Sequence, residues 1–218
     1  MYQHRYVTEQ VVDLPVGKVV CVGRNYADHI RELNNSTPAS PVLFMKPKEA
    51  ICDMHSPLTI PMGECHNELE VALLIGKPLS SCNAAQGLQA IAGIGLGLDL
   101  TLRNVQSELK QSGQPWERAK AFDNSCPLST FVKPDAFIDY QNIEFQLTIN
   151  QRIRQQGNTK HMLFPIVALL QEITRTFSLS EGDVVLTGTP SGVGPLKVGD
   201  EVKAELANQL SVTTRIIK

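Results

Sequence analysis

The chain has 218 residues, of which 22 are acidic and 20 are basic, so its net charge is −2, and 42% of its residues are hydrophobic. This length favours one domain with a core that needs no disulfides, and the near-balance of charge argues against nucleic acid as a partner. The sequence predicts no membrane span and no secretory signal, and five scattered cysteines indicate a reducing compartment, so we expect a cytoplasmic protein without a membrane partner.

Strands dominate the elements that the sequence predicts. In chain order, apolar runs bounded by Gly, Pro and Asn predict strands over 16–22, 41–45, 68–75, 143–149, 152–156, 184–186, 201–206 and 210–217. Helices are predicted over 27–33, 83–92, 102–111 and 160–177. Pro165 would then lie in the early turns of the last helix. Because helices and strands do not alternate, the pattern argues against a doubly wound parallel sheet and favours a β-rich α+β domain.

Several common catalytic motifs are missing from the sequence. It contains no GxSxG elbow, no GxxxxGK[ST] phosphate loop and no HExxH zinc motif. The glycine-rich stretches at 93–97 and 192–194 do not complete a GxGxxG pattern. These absences argue against common serine hydrolases, P-loop enzymes and Rossmann oxidoreductases.

Three acidic residues lie where apolar ones are expected. Glu68 and Glu70 are two residues apart at the start of a predicted strand, so their side chains point to the same face. Asp99 lies in the apolar run GLGLDL, where a buried charge is costly unless it is paired or bound to a metal. Three carboxylates favour a hard cation such as Mg²⁺, Mn²⁺ or Ca²⁺. The alternatives are a solvent-facing edge strand for the two glutamates and a helix N-cap at Asp99.

Two further segments contain candidate catalytic side chains. In the predicted helix over 27–33, His29 and Glu32 are neighbours at i and i+3, and a carboxylate beside an imidazole makes a base that could activate water. Lys120, between small and aromatic residues, could stabilise an enolate or oxyanion. A solvated surface helix and a surface lysine are the alternatives. The neighbours of Cys126 supply no base or cation, which favours an inert buried thiol over a nucleophile.

Six segments together carry a family resemblance. They are GRNYADH at 23–29, PVLFMKP at 41–47, HNELE at 66–70, LDLTLRNVQ at 98–106, GQPWERAKAFDNSCP at 113–127 and LTGTPSGVGPL at 186–196. In this order and spacing they resemble the small single-domain members of the fumarylacetoacetate hydrolase family, of the acylpyruvate hydrolase and oxaloacetate decarboxylase type. The resemblance implies a β-rich mixed-sheet roll with peripheral helices, one catalytic domain over 1–218 with its core at about 16–206, and a homodimer.

The resemblance also implies roles for individual residues. The family holds a divalent metal, usually Mg²⁺ or Mn²⁺ with Ca²⁺ as a substitute, on carboxylates that match Glu68, Glu70 and Asp99. Its water-activating pair matches His29 and Glu32, and its lysine near the metal matches Lys120. Its substrate-binding residues match Arg24, Arg103, Gln106 and Thr189.

The sequence departs from the family pattern at two positions. Asn67 replaces a histidine, and because it alternates with Glu68 we expect it to point away from the metal. Asn104 replaces an aspartate that follows Arg103 in many members, which removes a potential partner and affects substrate tuning. Arg103 and Gln106 are i and i+3 in a helix that we expect to start near residue 101, so they should face the metal together.

The residues and the resemblance predict a metal-dependent enzyme that acts on a small-molecule 2-oxo acid through an enolate. The expected reaction is hydrolytic C–C cleavage of acylpyruvates, decarboxylation of oxaloacetate, or both. An isomerase or tautomerase of oxaloacetate or of 2-hydroxy-diene-dioates is the alternative, because proton transfer alone forms the same enolate. A non-catalytic metal-stabilised dimer is a third hypothesis, and the presence of every matching polar residue argues against it. The composition of 33–40 permits a lid over the metal.

Overall fold

In the computed structural model, which describes residues 2–61 and 63–218, fifteen strands form three sheets. The strands are β1 (Val19–Gly23), β2 (Val42–Lys46), β3 (Ile51–Asp53), β4 (Leu58–Thr59), β5 (Cys65–Asn67), β6 (Leu69–Ile75), β7 (Ile91–Leu98), β8 (Thr101–Leu102), β9 (Cys126–Leu128), β10 (Glu144–Ile149), β11 (Arg152–Asn158), β12 (Val184–Leu186), β13 (Gly194–Pro195), β14 (Glu201–Leu206) and β15 (Leu210–Ile217). The α-helices are α1 (Ala27–Glu32), α2 (Ala84–Gln89), α3 (Arg103–Gln111), α4 (Glu117–Lys120) and α5 (Ile166–Thr176). Single 3₁₀ turns cover Lys48–Ala50, Pro134–Ala136 and Thr159–His161.

The sheets mix parallel and antiparallel pairs. The largest has the order β2-β1-β12-β6-β7-β9-β3, in which β1–β12 and β3–β9 are parallel and the other pairs are antiparallel. A second sheet has the order β11-β10-β14-β15-β4, and a small one has the order β13-β5-β8. The mixture and the few, peripheral helices confirm the predicted α+β mixed-sheet roll. No helix in the described ranges is long and apolar enough to cross a membrane.

Strand β6 is at the centre of the largest sheet and is buried on both faces. Leu69, Val71 and Leu73 point into one apolar core, and Ala72 and Leu74 point into a second core on the opposite face. Burial on both faces explains why the strand is continuously apolar rather than alternating. The alternative of a solvent-facing edge strand is wrong, because Glu68 and Glu70 are both buried.

Two predicted helices are longer than the observed ones by several residues. The helix predicted over 160–177 begins at Ile166, because Pro165 lacks an N–H and forces the preceding residue towards extended backbone. The first two residues of the predicted segment belong instead to a 3₁₀ turn at Thr159–His161. The helix predicted over 83–92 starts with a capping box at Asn83 but ends at Gln89, because the following residues pair with β6 as strand β7.

Candidate metal-dependent active site

Strand register brings the three predicted carboxylates together. Glu68 lies between β5 and β6, Glu70 is the second residue of β6, and Asp99 directly follows β7. Because β6 and β7 are antiparallel with Leu69 opposite Leu98, the start of one strand meets the end of the other, and Asp99 N donates to Glu68 O at 2.8 Å. One oxygen atom from each carboxylate lies within 4.8 Å of the others.

The carboxylates are almost inaccessible to solvent. Glu68 is 4% exposed, Glu70 2% and Asp99 1%. The helix N-cap alternative for Asp99 is wrong, because α3 begins at Arg103 with Leu102 in the N-cap position. Buried carboxylates need cations or donors, so their partners define the electrostatics of the site.

Lys120 is the main cationic partner of this cluster. Its Nζ lies 2.8 Å from Glu68 Oε2 and 2.6 Å from Asp99 Oδ2, and it donates to Thr101 Oγ1 at 2.7 Å. Burial disfavours the ammonium, but Asp99 and Glu68 outweigh that effect and raise the pKa of Lys120. The surface-lysine alternative is therefore wrong: Lys120 stays charged inside the protein.

The two glutamates differ in their electrostatic surroundings. Burial raises the pKa of Glu68, but Lys120 and Arg103 outweigh this and hold it well below its usual range. Burial and the nearby charge of Asp99 raise the pKa of Glu70 well above its usual range, although Gly188 N donates to Glu70 Oε2 at 2.6 Å. The cluster thus lacks positive charge on the Glu70 side.

The cluster fits a hard divalent cation. Asp99 Oδ1 is buried and, within the described ranges, accepts no hydrogen bond, although Lys46 Nζ lies 2.9 Å away. The missing hydrogen bond at Asp99 Oδ1 and the undercompensated charge of Glu70 are both costly in a protein interior. A cation held by one oxygen from each of Glu68, Glu70 and Asp99 would remove both costs, and all-oxygen ligation suits a hard divalent ion.

His29 and Glu32 form the second part of the site. His29 Nδ1 lies 3.3 Å from Glu32 Oε2 on α1, and His29 is buried while Glu32 is partly exposed. The imidazole lies close enough to Glu68 to help lower the pKa of that carboxyl. Gly192 N donates to Glu32 Oε1 at 2.9 Å and holds the carboxylate in place. The surface-helix alternative is therefore wrong for His29, which faces the carboxylate cluster.

Arg103 and Gln106 meet at the same cluster. Arg103 Nη1 donates to Gln106 Oε1 at 2.7 Å, Arg103 Nη2 pairs with Glu68 Oε1, and Arg103 Nε donates to His66 Nδ1 at 3.3 Å. The far nitrogen of His66 lies 2.7 Å from Glu64 Oε1. The i, i+3 spacing therefore places both predicted substrate-binding side chains beside Glu68, and His66 orients the guanidinium.

The other two predicted substrate-binding residues are placed differently. Thr189 Oγ1 donates to Leu69 O at 2.8 Å and accepts from Gln155 Nε2 at 2.8 Å, so protein partners already occupy this hydroxyl. Arg24 follows β1 with a φ of 59°, a left-handed conformation that is uncommon outside glycine. Within residues 2–61 and 63–218, neither an ion pair nor a side-chain hydrogen bond joins Arg24 to the cluster.

Sequence reasoning missed two residues that touch this site. Lys46 is wholly buried, and its ammonium lies next to Asp99 and donates to Ser125 O at 3.0 Å. A lysine ending an apolar strand just before a proline was the available signal. Gln155, 1% exposed, contacts both Leu69 and Thr189. Its only signal was its inward position in a strand that is otherwise polar.

The side chain of Asn67, which departs from the family pattern, binds another side chain of the protein. Asn67 Nδ2 donates to Gln155 Oε1 at 2.8 Å. Its side chain is thus bound to β11 rather than to the three carboxylates.

Cys126 is fully buried, and burial raises the pKa of its thiol, so it is not a nucleophile at neutral pH.

A mixed-sheet roll that buries three carboxylates and two lysines in one place, beside a histidine–glutamate pair, defines a metal-dependent enzyme. Residues 18–217 match the family model described as the fumarylacetoacetate (FAA) hydrolase C-terminal, and the chain belongs to that family. This confirms the resemblance carried by the six sequence segments.

Relatives and solved structures agree with this assignment. Oxaloacetate tautomerase YcgM of Escherichia coli (strain K12) is 50% identical over 220 residues, with all of both chains covered. A fumarylacetoacetate hydrolase family protein from Yersinia pestis CO92 has a TM-score of 0.97 at 51% identity and covers 99% of this chain and 100% of its own. Fumarylpyruvate hydrolase from Pseudomonas aeruginosa, solved in complex with Mn²⁺ and pyruvate, has a TM-score of 0.91 at 29% identity, covering 98% and 94% of the two chains.

Proposed function

We propose that this chain is a divalent-metal-dependent enzyme that converts 2-oxo acids through an enolate, with keto–enol interconversion of oxaloacetate as its main reaction. The buried cluster of Glu68, Glu70 and Asp99 beside Lys120 is the observation that carries the proposal. From the sequence alone, C–C cleavage is the first expectation and tautomerisation is the alternative. The comparisons support both, and we reverse the order because the tautomerase relative matches the whole chain.

The cation is part of the proposal. Mg²⁺ or Mn²⁺, with Ca²⁺ as a substitute, would be held by Glu68, Glu70 and Asp99 and would supply a Lewis acid for the carboxylate and 2-oxo oxygens of the substrate. The all-oxygen ligand set supports a hard ion of this kind. The Mn²⁺ of the fumarylpyruvate hydrolase complex gives further support.

The chain's own residues supply orientation and proton transfer. Arg103 and Gln106, which contact each other beside Glu68, would bind the substrate carboxylate. His29 donates Nδ1–H to Glu32, which leaves Nε2 free to take a proton from C3 of the 2-oxo acid. The C3–H electron pair then becomes the enolate, whose oxygen lies near the Lys120 ammonium. Return of the proton to oxygen completes the enol.

Hydrolytic cleavage of acylpyruvates is the second candidate. The His29–Glu32 pair favours it, because an imidazole held by a carboxylate can take a proton from water as readily as from carbon. Water would add to the distal carbonyl, the C–C bond would break, and the pyruvate enolate would leave towards Lys120. Decarboxylation of oxaloacetate reaches the same enolate by loss of CO₂ without water attack.

Metal-stripped protein tests the proposal with two substrates. Oxaloacetate and acetylpyruvate are followed by proton NMR and enol absorbance, with and without Mg²⁺ or Mn²⁺. Metal-dependent keto–enol exchange of oxaloacetate without a change in mass supports the tautomerase. Metal-dependent acetate and pyruvate from acetylpyruvate, without such exchange, would put the hydrolase first. No metal-dependent change in either compound would overturn the proposed substrate class.

The remaining sequence-based expectations belong to this proposal. We expect a homodimer, a single catalytic domain over 1–218 and a cytoplasmic location. We also expect roles in substrate binding for Arg24 and Thr189. Light scattering of the purified protein tests the expected homodimer, and a monomer at all concentrations would contradict it.

A further inference from the structure

Gln155, a buried residue of β11, contacts two segments that carry opposite parts of the site. One is the segment 66–70, which carries Glu68 and Glu70. The other is the loop 187–192, which follows β12. All four hydrogen-bonding positions of the Gln155 amide are used between them. A buried amide with every position filled fixes the geometry of all its partners.

The orientation of this amide follows from its backbone partners. Gln155 Oε1 accepts from Leu69 N at 2.9 Å, and a backbone N–H can only donate. Gln155 Nε2 donates to Pro190 O at 2.9 Å, and a carbonyl can only accept. The oxygen therefore faces the carboxylate-bearing segment and the nitrogen faces the loop. Asn67 and Thr189 complete the set, each at 2.8 Å.

On the carboxylate side, Gln155 takes the place of a missing strand. Strand β12 pairs with β6 only as far as Ala72, so β12 offers Leu69 no partner. Gln155 binds Leu69 N, and Thr189 binds Leu69 O at 2.8 Å. Leu69 lies between Glu68 and Glu70, and alternate residues point to opposite faces. Holding Leu69 from one side therefore sets where the two carboxylates point.

On the loop side, Gln155 binds between two contacts to catalytic groups. Gly188 N donates to Glu70 Oε2 at 2.6 Å, and Gly192 N donates to Glu32 Oε1 at 2.9 Å. Thr189 and Pro190, the partners of Gln155 Nε2, lie between these two glycines. The loop thus links a proposed metal ligand to the carboxylate that orients His29.

The loop also fits closely on the strand that carries Gln155. Gly192 has a φ of +98°, and a Cβ atom at this position would lie 1.8 Å from Arg154 O. Only glycine fits this approach. The β10–β11 register shifts next to Leu147, which pairs with Gln155, so an irregularity in the ladder accompanies the inward side chain.

From these contacts we propose that Gln155 is a positioning residue, which holds the carboxylates of Glu68 and Glu70 and the His29–Glu32 pair in one fixed arrangement. Without its amide, Leu69 N and Pro190 O would be buried and unpaired, and the segment and the loop would move independently. The consequence for catalysis rests on the proposed function. The consequence for backbone mobility does not.

The test compares Gln155→Met with Gln156→Met. The two glutamines are adjacent, but Gln156 is exposed, so the second variant controls for the loss of a β11 amide. We expect Gln155→Met to accelerate amide hydrogen exchange in both 66–70 and 187–192. In the metal-free protein, we expect it to weaken Mn²⁺ binding in calorimetry by about 10- to 100-fold, as for other residues that orient metal ligands. Gln156→Met should match the wild type in both.

The outcomes separate the inference from the proposed function. Unchanged exchange in either segment, or a lowered melting temperature with wild-type Mn²⁺ affinity and wild-type kcat at saturating metal, would overturn the positioning role. A wild-type protein that binds no Mn²⁺ would overturn the proposed function instead, and the exchange data would still decide the inference.

Gln155→Glu provides a second variant if Gln155→Met does not fold. It keeps an acceptor for Leu69 N and Asn67 Nδ2 but loses both donors to the loop. Faster exchange in 187–192 with unchanged exchange in 66–70 is expected. We also expect kcat to fall by about tenfold, since Glu32 loses its fixed position. An equal change in exchange rate in both segments would contradict the assignment of Gln155 Oε1 to the segment 66–70 and of Gln155 Nε2 to the loop.

Discussion

Lys120 Nζ lies 2.6 Å from Asp99 Oδ2, on a carboxylate whose other oxygen is left without a hydrogen bond in the described ranges. Asp99 therefore binds the Lys120 ammonium through Oδ2, while Lys46 Nζ lies 2.9 Å from Oδ1, the oxygen that the proposed divalent ion would share. The carboxylate places Lys120 at the edge of the proposed metal site, where negative charge would develop on the enolate oxygen of the proposed reaction.

Glu68→Gln or Asp99→Asn should abolish metal-dependent turnover, because each removes one of three anionic ligands. We expect Mn²⁺ affinity to fall by at least about 100-fold. Calorimetry on metal-free protein measures this. Glu144→Gln is the control, since Glu144 is exposed on β10. Full activity of either site variant after chelation and metal add-back would refute the ligand assignment.

His29→Ala should harm acylpyruvate hydrolysis more than oxaloacetate decarboxylation, because only hydrolysis needs a base for water. Loss of a general base costs about 10²- to 10⁴-fold in rate. Parallel assays with acetylpyruvate and oxaloacetate measure the difference, and His55→Ala, at an exposed histidine, is the control. Equal losses in the two reactions would count against His29 as the water base.

Lys46→Met should destabilise the metal-free protein by about 3–5 kcal/mol, since it leaves the buried Asp99 carboxylate without one of its cations. Mn²⁺ should restore more of the free energy of unfolding in this variant than in the wild type. Urea unfolding with and without Mn²⁺ measures both effects. Lys48→Met, at an exposed lysine, should match the wild type. The same Mn²⁺ stabilisation in both proteins would contradict the proximity of Lys46 to the ion.

His4 should make the stability of the fold depend on pH. Burial lowers the pKa of His4 from 6.5 to about 4, so the folded state binds fewer protons than the unfolded state between these values. The stabilisation is complete above pH 6.5 and is lost as the pH falls towards 4, by about 3 kcal/mol. Unfolding at several pH values should show a shallower decline for His4→Gln than for the wild type. His55→Gln should keep the wild-type slope, and identical slopes for all three proteins would refute this role.

The parts of the site that local pattern encodes could be predicted from the sequence. Glu68 and Glu70 share a face through strand alternation, and His29 with Glu32 and Arg103 with Gln106 meet through helical spacing. Asp99 could be singled out as a charge in an apolar run. Helix α5 begins at Ile166 rather than at residue 160. Proline is compatible with the first turn of a helix, so the sequence pattern does not show that the helix begins only after Pro165.

Long-range contacts could not be predicted in this way. Gln155 is 88 residues from Asn67 and 34 from Thr189, and Lys46 reaches Asp99 from another strand of the sheet. Strand order decides such contacts, and periodicity reports which face a residue occupies but not which strand lies beside it. A glutamine or lysine at an inward strand position is the signal that one sequence offers.

The pairing of charges inside the cluster has a consequence for the order in which ligands arrive. When Glu70 is ionised, the charges of the three carboxylates equal those of the three cationic side chains, Lys46, Lys120 and Arg103, which pair with Glu68 and Asp99. The ion leaves an excess of two positive charges, which a dianion cancels fully and a monoanion only by half. Ion and dianion should therefore strengthen each other's binding by the same factor. A 2-oxo dicarboxylate would thus gain affinity only after the ion has entered, and would then slow its departure.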